Sequence, residues 1–313
     1  MPKIQVQIVT FNSKDSLTSC LDALMVQSLL PDRVMIIDNG SIDQTRQIIE
    51  VYQKQFLDKN IPYIYYFLSS NTGYASAHNV GIRTAYEQNI DYVCTLNPDV
   101  RLEIDYLKYA VMDFLINKTV GGVTGKLTRP HEEAQDTLRI DSTGLQMKAF
   151  FHARDRGQDQ YDLGQYEEPT YIWGICGAAA VYRTEMLQQL AYKGQYFDES
   201  FFVYKEDVDL CWRGNERGWK FYYDPRATAW HNRGWQKTST PSEQARIHSF
   251  ANQVALLIKH VPRPSLILII TLLVEVIRFV DISLRFPIVS KGIMKKIRME
   301  WANTWAWRKG VHD

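Results

Sequence analysis

Residues Asp91–Val100 read DYVCTLNPDV: a short apolar run closes on a proline-locked polar elbow that carries one carboxylate, Asp99. Such a run, bounded by a turn, has the length and character of a buried strand. Upstream, Ile4–Thr10 (IQVQIVT) alternates at a strand period, and Leu17, Leu21, Leu24 and Met25 recur at helical spacing before Pro31 stops the pattern. Val34–Asp38 (VMIID) is again short, apolar and acid-terminated, as in a parallel strand covered on both faces. Ser41-Ile42-Asp43-Gln44 has the form of a capping box and predicts a second helix directly after it. Tyr63–Leu68 (YIYYFL) and a helix over Gly73–Asn89 lead into the opening stretch. Strand and helix in alternation predict an α/β sheet with crossover helices, which binds ligands beyond the carboxyl ends of its strands. Those ends carry Thr10, Asp38 and Asp99.

Downstream, from about Gly121 to Tyr171, the pattern loosens into glycines, charges and isolated aromatics, and predicts irregular connections with short strands. Order returns at Gly177–Arg183 (GAAAVYR) and at Lys220–His231 (KFYYDPRATAWH). Between them, Glu199–Trp219 reads as a loop and then a helix, with Val208, Leu210, Cys211 and Trp212 inward and Gly218 as its stop. Leu266–Val274 (LILIITLLV) is strongly apolar but too short to span a bilayer. Arg278–Lys309 holds eight basic and two acidic residues, a net +6 in a chain whose total is +1. The basic charge therefore sits in the tail.

The 313 residues, 45% hydrophobic and 23% charged, suffice for one large or two unequal domains. A net charge of +1 gives the chain as a whole no polyanion-binding signature, and no nucleic-acid module interleaves basic and aromatic residues. Cys20, Cys94, Cys176 and Cys211 lie far apart, which argues against a zinc knuckle or a disulfide framework and suits a reducing cytosol. The first residues, MPKIQVQIVTFNS, lack the features of a signal peptide, so a cytoplasmic protein is expected.

Taken singly, the candidate residues have ordinary readings. Asp38-Asn39-Gly40 is a common turn, Asp99 a solvated loop acid, and Glu206-Asp207 an acidic helix start favoured by the helix dipole. His231 alone is most simply a histidine packed at a strand end. Asn71–Gly81 (NTGYASAHNVG) lacks the spacing of both glycine-rich phosphate-loop signatures. Their order and intervals say more than each one does.

VTFNS, DNGSIDQT, NTGYASAHNVGI, LNPDV, GAAAVYR, FDESFFVYKEDVDLCWR and PRATAWH, seven blocks in register, resemble the family 2 glycosyltransferases of the GT-A fold. More narrowly they resemble the bacterial rhamnosyltransferase-like branch of lipopolysaccharide and cell-wall polysaccharide assembly. The resemblance covers roughly Ile4–His260. It implies a nucleotide-diphospho-sugar transferase fold: a mixed, mostly parallel sheet flanked by helices, with a catalytic domain over residues 1–237 and a helical extension over 238–313. Within the catalytic domain, 1–100 would form the nucleotide-sugar half and 101–237 the acceptor half. Thr10 and Asp38 match nucleobase and ribose contacts, and Asn71, Gly73 and Asn79 fall in the segment that closes over the nucleotide sugar. Asn97-Pro98-Asp99 stands in place of an Asp-x-Asp motif. Asn97 replaces the first acid and is left to meet the sugar, so Asp99 alone carries the charge that would hold Mg²⁺ or Mn²⁺. His231 matches a further metal or phosphate ligand.

By the same resemblance, Asp207 aligns with the base that takes the acceptor hydroxyl's proton, and one displacement inverts the anomeric centre. Glu206, Trp173 and Tyr204 are the acceptor-side candidates. The favoured donor is dTDP-L-rhamnose, with UDP-sugars as the alternative, and the acceptor is polyprenyl-linked or an oligosaccharide. The tail, with Trp301, Trp305 and Trp307 among its lysines, suits either a peripheral helix on the cytoplasmic face of the inner membrane or a hairpin or homodimer interface. Two rivals stand beside this reading. A sugar nucleotidyltransferase would open on a glycine- and arginine-rich loop that VTFNSKDS does not supply. A non-catalytic sugar-nucleotide sensor would keep its output in Asp207→Asn.

Overall fold

The computed structural model describes residues 2–129, 138–233, 241–262 and 265–312. Strands β1 (Ile4–Thr10), β2 (Arg33–Asp38), β3 (Tyr63–Phe67) and β4 (Tyr92–Leu96) pair in parallel, as their alternation with helices predicts. Helices α1 (Leu17–Met25), α2 (Thr45–Asp58) and α3 (Tyr74–Glu87) make the crossovers. Every residue of β1, β2 and β4 is buried, which is why β2 and β4 read as apolar runs; β1 alternates, and its buried Gln5 and Gln7 are bonded to each other, to the Gly81 carbonyl and to His78.

The expected capping box does not form. The Asp38 carboxylate holds the Ser41 N–H (3.1 Å) within the turn after β2, and the Ser41 hydroxyl accepts from the Asn12 N–H (2.9 Å). Asp43 instead takes the Thr45 N–H (3.0 Å), and α2 begins there.

After the elbow come β5 (Val100–Leu102), α4 (Tyr106–Asp113) and β6 (Val120–Thr128). Here the sequence misleads. The loosened pattern from Gly121 contains a nine-residue strand that is buried throughout. Its glycines make room for neighbours rather than for turns: a Cβ on Gly125 would lie 1.7 Å from the Ala227 carbonyl oxygen. The short strands expected further on are β7 (Ile140–Ser142), β8 (Leu145–Met147), β9 (Ala153–Asp155) and β10 (Thr170–Ile172). They are followed by β11 (Ala179–Arg183), α5 (Thr184–Leu190), α6 (Glu206–Glu216) and β12 (Lys220–His231). In α6, Val208, Leu210 and Cys211 are buried as predicted, and Gly218 follows at φ +83°.

The main sheet runs β10-β12-β6-β11-β4-β1-β2-β3. Because β11 is antiparallel to both β4 and β6, its N-terminal end meets the C-terminal end of β4 and the middle of β6. One edge of the sheet thus gathers the ends of β1, β2, β4 and β12 with the entry to β11.

The extension comprises α7 (Glu243–His260), α8 (Leu266–Arg285) and α9 (Pro287–His312). Leu256 of α7 belongs to the main core, and α9 packs on α7 through Val289 and Ile293 against Phe250. The expected boundary at residue 237 lies outside the described residues. Among the described residues no helix is long and apolar enough to cross a membrane. One expectation for the tail is corrected: Trp307 is not at a surface but almost wholly buried, over Lys259 (4.4 Å) and Arg213 (5.1 Å), whereas Trp301 is half exposed. All four cysteines are buried and free.

Candidate active site

At the gathered edge, the Asn97–Asp99 elbow is fixed by the Asn97 N–H donating to the Ala178 carbonyl (2.8 Å) and by Val100 pairing with His231. Asp99 is partly exposed, and the His231 Nε2 lies 3.4 Å from its carboxylate. The other ring nitrogen, Nδ1, is 2.7 Å from Asp141, which also pairs with Arg233; Arg233 in turn reaches Asp155 (2.9 Å). Burial would lower the His231 pKa, but the hydrogen bonds to Asp141 and Asp99 outweigh it and raise it to about 9. The same contacts with His231 and Arg233 overcome burial at Asp141 and hold its carboxyl below the usual range.

Asp207 stands on the other side of the β11 entry. Its Oδ2 accepts from the Gly177 N–H (3.0 Å) and its Oδ1 from the Val208 N–H (2.8 Å). Since Asn97 bonds to Ala178 and Asp207 to Gly177, the elbow and the acid flank one short piece of backbone. Burial raises the Asp207 pKa, with Asp155 adding to it and the Gly177 bond opposing. Glu206 is more deeply buried, its Oε2 has no hydrogen-bond partner, and burial together with Asp207 drives its pKa well up. Behind them the Tyr74 hydroxyl donates to the Gly177 carbonyl (2.9 Å).

The chain enters α6 through a contorted segment. Phe202, Tyr204 and Lys205 all have positive φ, of 64°, 68° and 72°. Such conformations persist only where the surroundings impose them. Asn252 of α7 imposes this one: its side-chain amide donates to the carbonyls of Phe201 (3.0 Å), Val203 (2.9 Å) and Tyr204 (2.7 Å). Two residues beyond Asp207, Asp209 is buried against Arg213 (2.9 Å), Lys259 (2.5 Å) and His260 (3.0 Å). Helix α7 therefore grips both ends of the segment that presents Asp207.

At the nucleotide end the expectations divide. Thr10 and Asp38 are at the strand ends, but both are fully buried. The Thr10 hydroxyl donates to Asp38 (3.0 Å), whose other oxygen accepts from Ser41 N–H and from Arg46 Nε (2.8 Å). They form the floor rather than the contact surface, and Phe11, half exposed, is what the end of β1 shows to solvent. Asn71 and Gly73 do form a loop over this edge, tied down by Asn39, whose amide donates to the Asn71 Oδ1 (2.9 Å) and the Gly73 carbonyl (3.1 Å). Gly73 has φ +91°, and a Cβ there would lie 2.7 Å from Phe202, so this loop and the one before Glu206 touch. Asn79 is a correction. It is buried, its amide donates to Phe197 and Glu199, and its oxygen accepts from the Tyr196 and Phe197 N–H groups, which leaves nothing for a ligand. Of the acceptor-side candidates Tyr204 is exposed, while Trp173 stands edge-on to Trp212 (6.0 Å) and packs against the core.

Asp141, Asp155, Arg233, Asn39 and Asn252 escaped the sequence reading. Asp141 and Asp155 lie in the patternless segment, and Asn252 is a polar residue inside a helix remote in sequence. Only DNGS, which contains Asn39, carried a local signal.

Among the described residues no three His, Cys, Asp or Glu side chains cluster as a metal site. Asp99 nonetheless suits Mg²⁺ or Mn²⁺ borne largely by a diphosphate and water, since such ions take only one or two protein ligands, and His231 would join it by giving up its Nε2 proton as the ion binds. The Asp141 bond to the far ring nitrogen of His231 is the usual orienting contact of a ligating histidine.

The profile of the family described as Glycosyl transferase family 2 matches residues 5–191. A probable glucomannan 4-beta-mannosyltransferase 4 of Oryza sativa subsp. japonica is 24% identical over 225 residues, 71% of this chain and 38% of that protein. The poly-beta-1,6-N-acetyl-D-glucosamine synthase of Staphylococcus epidermidis is 23% identical over 227 residues, 72% of this chain and 49% of that protein. The chain thus spans less than half the length of these relatives. Among solved structures, GalNAc-T7 with UDP, GalNAc and Mn²⁺ superposes with a TM-score of 0.61 at 13% identity, over 82% of this chain and 48% of that one. S. aureus TarS 1-349 in complex with UDP-GlcNAc superposes with a TM-score of 0.53 at 16% identity, over 83% and 68%. At these identities the structures share the fold.

Proposed function

The chain belongs to glycosyl transferase family 2, and we propose that it is an inverting glycosyltransferase in which Asp207 is the catalytic base. The observation that supports this reading is the shared Gly177–Ala178 backbone, to which both Asp207 and the Asn97–Asp99 elbow are bonded. Asp207 takes the proton of an acceptor hydroxyl, whose oxygen bonds to the anomeric carbon as the bond to the diphosphate breaks on the opposite face. The leaving electron pair departs with the nucleotide. Glu206, buried beside Asp207, orients the base on the acceptor side, where the ring of Tyr204 is exposed. Phe11 offers its ring to the nucleobase above the Thr10–Asp38 floor, and the loop of Asn71 and Gly73 closes over the ribose and sugar, with Asn97 at the sugar. Asp99 and His231 would hold Mg²⁺ or Mn²⁺, which when bound neutralises charge on the leaving diphosphate. Residues 1–237 carry this chemistry, and 238–313 support it.

The favoured donor is dTDP-L-rhamnose, on the strength of the branch that the seven blocks resemble, with a polyprenyl-linked or oligosaccharide acceptor in bacterial surface polysaccharide assembly. A UDP-sugar is the second reading, favoured by the UDP and UDP-GlcNAc of the solved relatives. A thermal-shift series of dTDP- and UDP-sugars with and without Mn²⁺ decides between them. At a hundredfold excess over Kd the true donor should raise Tm by roughly 5 °C through mass action. If no nucleotide diphosphate moves Tm in either condition, the donor site is wrongly assigned.

A further inference from the structure

Helix α8 is turned inside out. Its inward side carries Thr271 and Glu275, both buried, between Leu268 and the partly buried Phe279 and Ile282. Glu275 is satisfied there by His152 (2.7 Å) and Arg278 (2.8 Å), and the Thr271 hydroxyl by the Ile267 carbonyl (2.7 Å). The outward side presents Leu266, Ile269, Leu273, Ile277, Val280 and Leu284, each more than half exposed and spaced three and four residues apart. No charge interrupts that stripe. A helix on a water-facing surface puts its apolar stripe inward, so this arrangement calls for an apolar partner along the roughly 30 Å that twenty residues span.

Charge identifies the partner. Beyond the turn at Phe286, α9 exposes Lys291, Met294, Lys295, Arg298 and Trp301 at the same spacing, while its one acid, Glu300, is half buried. The exposed acid of α8, Asp281, is paired with Arg285 (2.8 Å). A second copy of the chain on this face would bring two segments of net +6 together. An anionic surface with an apolar interior complements both features. We propose that α8 and α9 dock on an anionic lipid bilayer, with the α8 stripe at the headgroup–acyl boundary and the lysines and arginine of α9 among the phosphates. The inward side of α8 lies on the segment around β9: Arg278 contacts His152 (3.2 Å), next to the exposed turn at Phe150. Docking does not depend on the identity of the donor or on the reaction.

The test is flotation of the full chain with phosphatidylcholine vesicles that contain about a third phosphatidylglycerol, beside vesicles of phosphatidylcholine alone. The wild type should float with the anionic vesicles and far less with the neutral ones. L273E/I277E should lower partitioning at least ~100-fold, because two large apolar side chains no longer leave water. K291A/K295A/R298A should lower it roughly 100-fold, at about fivefold per charge. Both sets are solvent-exposed, so circular dichroism and Tm should match the wild type. Three results overturn the proposal: no flotation of the wild type, flotation that both variants retain, or a stable dimer in solution that L273E/I277E splits into monomers.

Discussion

Asp207→Asn is expected to lower kcat by about 100- to 10,000-fold, the range of a lost general base, while donor affinity stays within about twofold. Steady-state transfer assays and donor titration check the two halves separately. The pH profile sharpens the test. Burial raises the Asp207 pKa, so activity should fall on an acidic limb centred above the usual carboxylate value of about 3.9, as the base is protonated. The variant's residual activity should lack that limb. Stability moves the other way. A carboxyl whose folded pKa is raised contributes stability below its unfolded pKa, and that contribution is lost as pH rises through the folded value, so at neutral pH the charge is a cost that an amide removes. Against that, the amide keeps only one of the two backbone N–H bonds that Asp207 accepts, so a melting temperature close to that of the wild type would separate lost chemistry from lost folding. A variant that keeps full turnover excludes Asp207 as the base.

The second large effect lies away from the chemistry. Lys259 is buried between Asp198 (2.9 Å) and Asp209 (2.5 Å) under the ring of Trp307. Lys259→Met should destabilise the chain by about 3–5 kcal/mol, because it leaves a buried carboxylate uncompensated. Chemical denaturation reads this directly, and a loss under about 1 kcal/mol would show that water or relaxation satisfies the acids. Pairing it with Asp198→Asn should recover part of the loss, since the orphaned charge goes with its partner. The cluster also has a pH signature. Burial would raise the Asp209 pKa, but Lys259, Arg213 and His260 carry it well below the ordinary value. Its stabilising contribution is therefore complete above about pH 4 and is lost as pH falls through the depressed folded value. Because Asp209 shares α6 with Asp207, partial unfolding here should also blunt catalysis.

The parallel half of the sheet was legible because its strands are short and closed by turns, and in β2 and β4 apolar pattern and burial coincide. β6 was not, since its glycines answer to neighbours such as Ala227 and Phe221 that only the folded sheet supplies. The site shows the same split. Asp99 and His231, far apart in sequence, meet because β5 pairs with β12, an antiparallel contact that no local pattern encodes. Residues expected to touch the nucleotide on the strength of resemblance, Thr10, Asp38 and Asn79, lie beneath the surface with their polar atoms already bonded. Asn252 and the Lys259 cluster came into view only in three dimensions, since polar residues in an otherwise amphipathic helix read as solvated until their partners are known. The α8 stripe was half visible: Leu266–Val274 announces an apolar helix, but that its polar residues face inward depends on His152 and α7.

The central claim is that one cleft holds the donor at Asp99 and presents its anomeric carbon to residue 207. A crystal structure of the Asp207→Asn protein with an intact nucleotide sugar tests it most directly. The account predicts the diphosphate beside Asp99 and His231 and the anomeric carbon within roughly 6–7 Å of the position 207 side chain, the sum of a near-attack contact and one hydrogen bond. A sugar bound on another face, or an anomeric carbon more than about 10 Å from that side chain with no room for an acceptor hydroxyl between them, would contradict it.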